Sequence, residues 1–299
     1  MPERLNKLKA ASRTCGAALG MCGLLLSISA CADNPAFQSQ AADITPTEVP
    51  DGKPDIPDHV GEILDGDEKQ SISYFRIDDN MQMGSPNQRE EIPALSLIKL
   101  YIATYVLEHG EFADKYEALD MVSSSSDESA EELFDAYPDA IDIIAEEYGL
   151  ESTKAGETWG YSTTSTYDVV SFITQLKEKD PTHPVLVAMA QADSISADGY
   201  RQNYGTAKLQ NVIGSKWGWS NNKDLHSSVS FGENFVVAAS SWGSARDLTR
   251  YVRKEISVDN LNKATTRYID ARKGEKVEPL TTTSRPSKER DADKDKDDD

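Results

Sequence analysis

The chain has 299 residues and carries 51 acidic against 31 basic side chains, a formal charge of −20 at neutral pH. A nucleic-acid footprint needs a basic face, and none stands out of this acidic background, so nucleic acid is not an expected partner. The four histidines (His59, His109, His183, His226) are scattered without metal-ligand spacing and there is no Gly-rich phosphate loop, so neither a metal nor a cofactor is expected.

Near the start, Arg4, Lys7, Lys9 and Arg13 precede an uncharged apolar run from Ala17 to Ile28 that is too short to span a bilayer comfortably. It ends in Ile28-Ser29-Ala30-Cys31, which resembles the bacterial lipobox. Residues 1–30 are therefore expected to be a lipoprotein signal peptide, with Cys31 left as a lipidated N-terminus at the extracytoplasmic face of the cell membrane. An ordinary signal peptide with a chance cysteine is the alternative. Loss of that segment removes Cys15 and Cys22, so no disulfide is available to the exported chain. Residues 31–58, rich in Pro, Asp, Thr and Ala without apolar periodicity, are expected to be a disordered tether. A folded domain is expected over 59–270, and 271–299, ending in a run of Asp and Lys, is expected to be a solvated acidic tail.

Within the domain, Ser71 to Ile77 alternates apolar and polar residues ahead of an Asp78-Asp79-Asn80 turn, which predicts a hairpin. Helical patterns follow over Leu97 to Leu107, Ser129 to Ala136, Ala140 to Tyr148 and Thr166 to Leu176. Ser227 to Phe231 and Phe235 to Ser240 flank Gly232-Glu233-Asn234, a second hairpin. From Ser244, an N-cap, to Ile256, the residues Leu248, Tyr251, Val252 and Ile256 form one apolar helical stripe. Strands at both ends around a helical middle predict a mixed α/β fold.

The chemistry concentrates in Ser96-Leu97-Ile98-Lys99. One helical turn separates the serine from the lysine, which puts both on one face of a helix that is apolar nearly all round. A serine hydroxyl needs a base to become a nucleophile, and a lysine desolvated by such a helix can lose its proton and serve. An N-capping serine beside a solvated lysine is the plain alternative.

Two further segments complete a pattern: Ser126-Asp127-Glu128, and Lys216-Trp217-Gly218 ahead of two strand-like stretches. Together with the Ser96 segment they resemble the S-x-x-K, S-D-N and K-T-G motifs of the class A β-lactamases and penicillin-binding serine hydrolases. The resemblance spans roughly residues 60 to 257. It implies a β-lactamase/transpeptidase-like fold, with an antiparallel sheet of N- and C-terminal strands packed against a central helical region. It also implies that Ser96 attacks a carbonyl, Lys99 takes its proton and Ser126 relays a proton to the leaving nitrogen. Lys216 and Gly218 would help hold the substrate, and the backbone N–H groups of Ser96 and Trp219 would form the oxyanion hole. Asp127 is expected to brace its loop.

The departures from the family matter. Glu128 stands where the family has an amide, and an ionised carboxylate cannot donate and would pair with Lys99 or Lys216. Trp217 replaces a hydroxyl residue and shares a strand face with Trp219, either as a packed core ring or as a platform for substrate. Thr163-Thr164-Ser165-Thr166 resembles the helix start that follows the deacylating glutamate, but the preceding loop is shortened and Glu157 is its lone carboxylate. The expectation is a monomeric lipoprotein that performs acyl-serine chemistry on a β-lactam or cell-wall peptide amide with weak deacylation, or an inactive binding module of the same fold for a cell-wall component.

Overall fold

A computed structural model describes residues 56–280. The expected signal peptide, Cys31, most of the tether and most of the acidic tail lie outside the described residues. Among the described residues no helix is long and apolar enough to cross a membrane.

Strand β1 (Gln70–Arg76) turns through Asn80, at φ 56°, into β2 (Met81–Gly84), giving the first hairpin. Asp79 accepts from Arg76 and from Met81 N, so side chains close the turn as well as backbone. Near the C-terminal end, β5 (Val212–Trp219), β6 (Leu225–Gly232) and β7 (Phe235–Trp242) form a meander. β1 then pairs antiparallel with β7, so the sheet order is β2-β1-β7-β6-β5 and β5 is an edge. Two short strands, β3 (Ile92–Pro93) and β4 (Thr163–Thr164), pair apart from it.

Both faces of the sheet are covered, and β7 shows how. Val236 and Ala238 pack with the helical region, whereas Val237 and Ala239 pack with Leu248 and Val252 of α7 (Ala245–Glu255) and Ala264 of α8 (Val258–Arg272). The two-residue period of a strand thus splits one apolar run between two cores. Ser244 caps α7 in a full capping box with Asp247.

The central helix α1 (Lys99–His109) buries Leu100, Tyr101, Ile102, Ala103 and Val106, as its all-round apolar pattern predicts. Around it lie α2 (Lys115–Ser124), α3 (Asp127–Ala136), α4 (Ala140–Tyr148), α5 (Thr166–Lys179) and α6 (Pro184–Ala190). The sequence patterns located α1, α3, α4, α5 and α7 but not α2, α6 or α8. α6 has seven residues, and α8 has only Ala264 and Tyr268 buried, so neither offers a clear apolar period.

Candidate active site

Ser96 lies in a 3-10 turn, Leu95–Leu97, that leads into α1. Leu95 adopts φ 53°, a left-handed conformation unusual for a residue with a branched side chain. The turn's bonds begin with Leu97 N, which donates to Ala94 O. Among the described residues the Ser96 N–H therefore has no backbone acceptor, as expected at the opening of a helix. The Ser96 side chain is nearly buried, with the residue 7% exposed, yet it lines a groove of about 730 Å³.

Lys99 opens α1 one turn later and is fully buried. Its Nζ donates to Ser125 O at 2.8 Å and to Asp127 Oδ1 at 2.5 Å, and the Trp159 ring lies 4.6 Å away. Burial holds its pKa below the ordinary lysine value, against the opposing pull of Asp127. Lys216 comes from β5, is also fully buried, and donates to Ser125 Oγ at 2.6 Å. Its pKa is pushed well below the ordinary value by burial first and by the charge of Lys99 second. One serine thus receives both amines, one on its carbonyl and one on its hydroxyl.

That serine is Ser125 and not Ser126, which corrects the expected position of the second motif by one residue. Ser126 accepts from Ser129 N as the N-cap of α3. Ser125 ends α2 in a left-handed conformation, φ 61° and ψ 30°, which turns its carbonyl and hydroxyl toward the two lysines. The shift moves every later position. Asp127, expected only to brace the loop, is the carboxylate on Lys99. Glu128 sits exposed in the first turn of α3 and, among the described residues, forms no ion pair with either lysine. The run Ser123 to Ser126 made the register ambiguous. Capping could have resolved it, because Ser126 followed by two first-turn acids is an N-cap signature.

Gly218 is placed by close approach. A Cβ there would lie 2.7 Å from Leu95 Cβ and 3.0 Å from Ser96 N, so only glycine lets edge strand β5 reach the turn that carries Ser96. Beyond the end of β5, Ser220 N donates to Leu225 O, so by strand alternation the Trp219 N–H points away from β6 toward the open edge. Neither the Ser96 N–H nor the Trp219 N–H has a backbone acceptor among the described residues, and Gly218 brings their two segments close together.

Trp217 does not form a platform. Its ring is buried in the core shared with α7, and its Nε1 donates to Tyr204 O while Tyr204 OH donates to Gly218 O. The two residues brace the strand behind the site. Trp219 is half-buried, lines the groove, packs tilted against Tyr200 with ring centres 4.8 Å apart and donates to Asp198.

The loop leading to α5 is pinched by the reciprocal bonds of Lys154 and Thr163. Thr164 is held by Thr153 and Tyr101, and Ser165 caps α5. This fixes the Trp159–Tyr161 turn against the groove, with an indole in contact with Lys99. Glu157 lines the groove but is exposed.

No protein-family model matches the chain, and no curated protein matches it in sequence. Solved structures do. A β-lactamase from a halotolerant bacterium superposes with a TM-score of 0.51 at 12% identity, covering 65% of this chain and 94% of its own. Penicillin-binding protein D2 from Listeria monocytogenes, in a cefotaxime-bound form, gives a TM-score of 0.49 at 15% identity over 66% and 97% of the two chains. D-alanyl-D-alanine carboxypeptidase from Mycobacterium tuberculosis H37Rv gives 0.45 at 15% over 74% and 94%. The chain has the fold of the β-lactamases and penicillin-binding proteins. Its antiparallel sheet and helical region match that architecture.

Proposed function

We propose that the domain is an acyl-serine enzyme acting on a β-lactam or a cell-wall peptide amide, and that its acyl-enzyme is long-lived. The observation that carries this reading is the convergence of the Lys99 and Lys216 amines on Ser125 beside the groove that Ser96 lines. Lys99, in its neutral form, takes the Ser96 proton as Oγ attacks the carbonyl. The N–H groups of Ser96 and Trp219 receive the oxyanion. Ser125 passes a proton to the leaving nitrogen as the C–N bond breaks, which leaves an ester on Ser96 and regenerates a proton acceptor in the Lys99, Ser125 and Lys216 group. Hydrolysis of that ester needs a second activated water. The loop presents Trp159 to Lys99, and Glu157 stands exposed, so the support for rapid deacylation is weak.

A second reading is favoured by one observation. Lys99 donates to Asp127, and neither lysine donates to the Ser96 hydroxyl among the described residues. That pairing fits a binding module that holds the same ligand without reacting.

Labelling of the protein and of Ser96→Ala with a fluorescent penicillin separates the two. The enzyme reading expects a stable adduct on the parent, seen as an intact-mass increase that persists for hours, and none on the variant. No adduct with any β-lactam or activated ester removes the reading. We also propose attachment to the extracytoplasmic membrane face through lipid on Cys31; Cys31→Ala should move the protein from the detergent phase to the aqueous phase on detergent partitioning.

A further inference from the structure

Trp219 supplies one of the two N–H groups proposed to receive the oxyanion, and what fixes it lies behind the strand, away from the groove. The loop over residues 193–202 joins two parts of the site. Its Asp193 and Ala197 N–H groups donate to Ser123 O and Ser124 O at 3.1 and 2.8 Å, which ties it to the end of α2 beside Ser125. From the same loop Asp198 accepts the Trp219 indole N–H at 3.2 Å and lies 3.6 Å from Lys223, while the Tyr200 ring packs on the Trp219 ring. Trp219 is therefore held both at its N–H and along its ring.

Tyr200 is held in turn by His226. Its hydroxyl lies 2.8 Å from His226 Nε2, and His226 Nδ1 lies 2.8 Å from Gly243 O. A carbonyl only accepts, so Nδ1 carries the imidazole proton, Nε2 is the acceptor and the Tyr200 hydroxyl donates to it. His226 is fully buried on β6, directly opposite Trp219 in the β5–β6 ladder, and neither it nor Tyr200 lines the groove. The bond from Tyr200 requires a neutral ring. Protonation would make both nitrogens donors and would set a buried positive charge near Lys223. The titratable groups facing His226 are Tyr200 and Tyr204 from the segment before β5, Lys223 and Asp224 from the β5–β6 turn, and Asp247 of α7. Burial holds the imidazole pKa below its ordinary value, with Gly243 O opposing that shift and Lys223 reinforcing it.

We propose that Tyr200 and His226 are positioning residues for the acyl transfer: neutral His226 orients Tyr200, Tyr200 fixes Trp219, and the end of β5 is thereby held where its N–H meets the oxyanion. Protonation of His226 loosens that chain and slows acylation. The inference rests on the acyl-serine reading and adds to it two residues that stand outside the groove.

The rate of labelling by a fluorescent penicillin, taken as the ratio of variant to parent at each pH, cancels the Lys99 titration that both share. His226→Gln keeps an acceptor for Tyr200 and a donor for Gly243 O but does not titrate. Its rate should match the parent at about pH 8 and exceed it about tenfold at about pH 5, a smaller factor than loss of a whole oxyanion donor. Tyr200→Phe keeps the ring and removes the hydroxyl, and should label about tenfold slower than the parent at about pH 8 with an unchanged half-saturating penicillin concentration. A ratio that stays flat with pH, parental labelling by Tyr200→Phe, or a change confined to the half-saturating concentration overturns the proposal. Amide NMR gives a readout free of the chemistry: the backbone and indole N–H resonances of Trp219 should follow the His226 titration in the parent and cease to do so in Tyr200→Phe. Absence of that coupling also overturns the proposal. A parent that takes no label removes the acyl-serine reading, and the Trp219 coupling then decides by itself whether His226 and Tyr200 hold the end of β5.

Discussion

Lys99 and Asp127 meet across the boundary between the interior and water. Their side chains are 2.5 Å apart at Nζ and Oδ1, yet the lysine side chain is fully buried and the aspartate 66% exposed. Burial alone would leave the amine readily deprotonated, and the carboxylate opposes it by favouring the ammonium form. If Lys99 is the base of the proposed reaction, the exposed carboxylate opposes its deprotonation.

Replacing Asp127 by Asn removes the charge and keeps the shape. The Lys99 pKa falls further, and because the proposed acylation uses the neutral amine, its rate should rise with pH through that pKa. Labelling by a fluorescent penicillin should therefore accelerate several-fold near neutral pH, with the rising limb of the pH profile moved to lower pH. An unchanged rate and profile would show that Asp127 does not control the base.

The two neighbouring serines make opposite predictions. Ser125→Ala takes the hydroxyl from Lys216 and the proton path to the leaving nitrogen, and should slow acylation about a hundredfold or more with little effect on stability. Ser126→Ala removes the α3 N-cap, and should cost about 1 kcal/mol in denaturant unfolding while labelling continues at the parental rate. Reversal of these outcomes would restore Ser126 as the site residue.

Gly218→Ala forces a methyl group against Leu95 and the Ser96 amide. β5 must retreat from the Ser96 turn, which separates the two N–H groups proposed to receive the oxyanion. Acylation should fall about a hundredfold, the scale seen when one such donor is lost, and the unfolding midpoint should drop. Parental labelling by this variant would place the oxyanion elsewhere.

Lys216 is buried beside another amine, a costly arrangement. Its folded-state pKa lies well below the ordinary lysine value that applies in the unfolded chain, so the unfolded chain binds more protons and folding is penalised below the unfolded value. Lys216→Met should raise stability by roughly 1–2 kcal/mol near neutral pH while abolishing acylation. The gain should shrink as pH rises toward the ordinary lysine value. Destabilisation at every pH, measured by urea unfolding, would contradict this account.

Much of the architecture could be read because it rests on periodic signals. The Phe235 to Ser240 strand, the capped helix from Ser244 and the apolar α1 all declared themselves through spacing and caps. Ser96, Lys99, Lys216 and Gly218 could be singled out because they stand in short motifs of fixed spacing, and the structure brings the segments that carry them together. Ser125 was missed because its role depends on a left-handed backbone at the end of α2, a helix whose own pattern is weak. Trp159 was missed because a through-space contact with Lys99 leaves no trace in sequence spacing, and the two faces that separate Trp217 from the groove become visible only once Tyr204 is seen behind the strand.

The pairing of β1 with β7 has a bearing on how the chain matures. Gln70 and Ser241 touch across 171 residues of sequence, so the first strand leaving a ribosome cannot complete its ladder until nearly the whole domain has followed it. During that interval Ser71 to Arg76 offers one bare edge to any extended neighbour. Synthesis from the N-terminus therefore makes a holding chaperone the natural guardian of this fold.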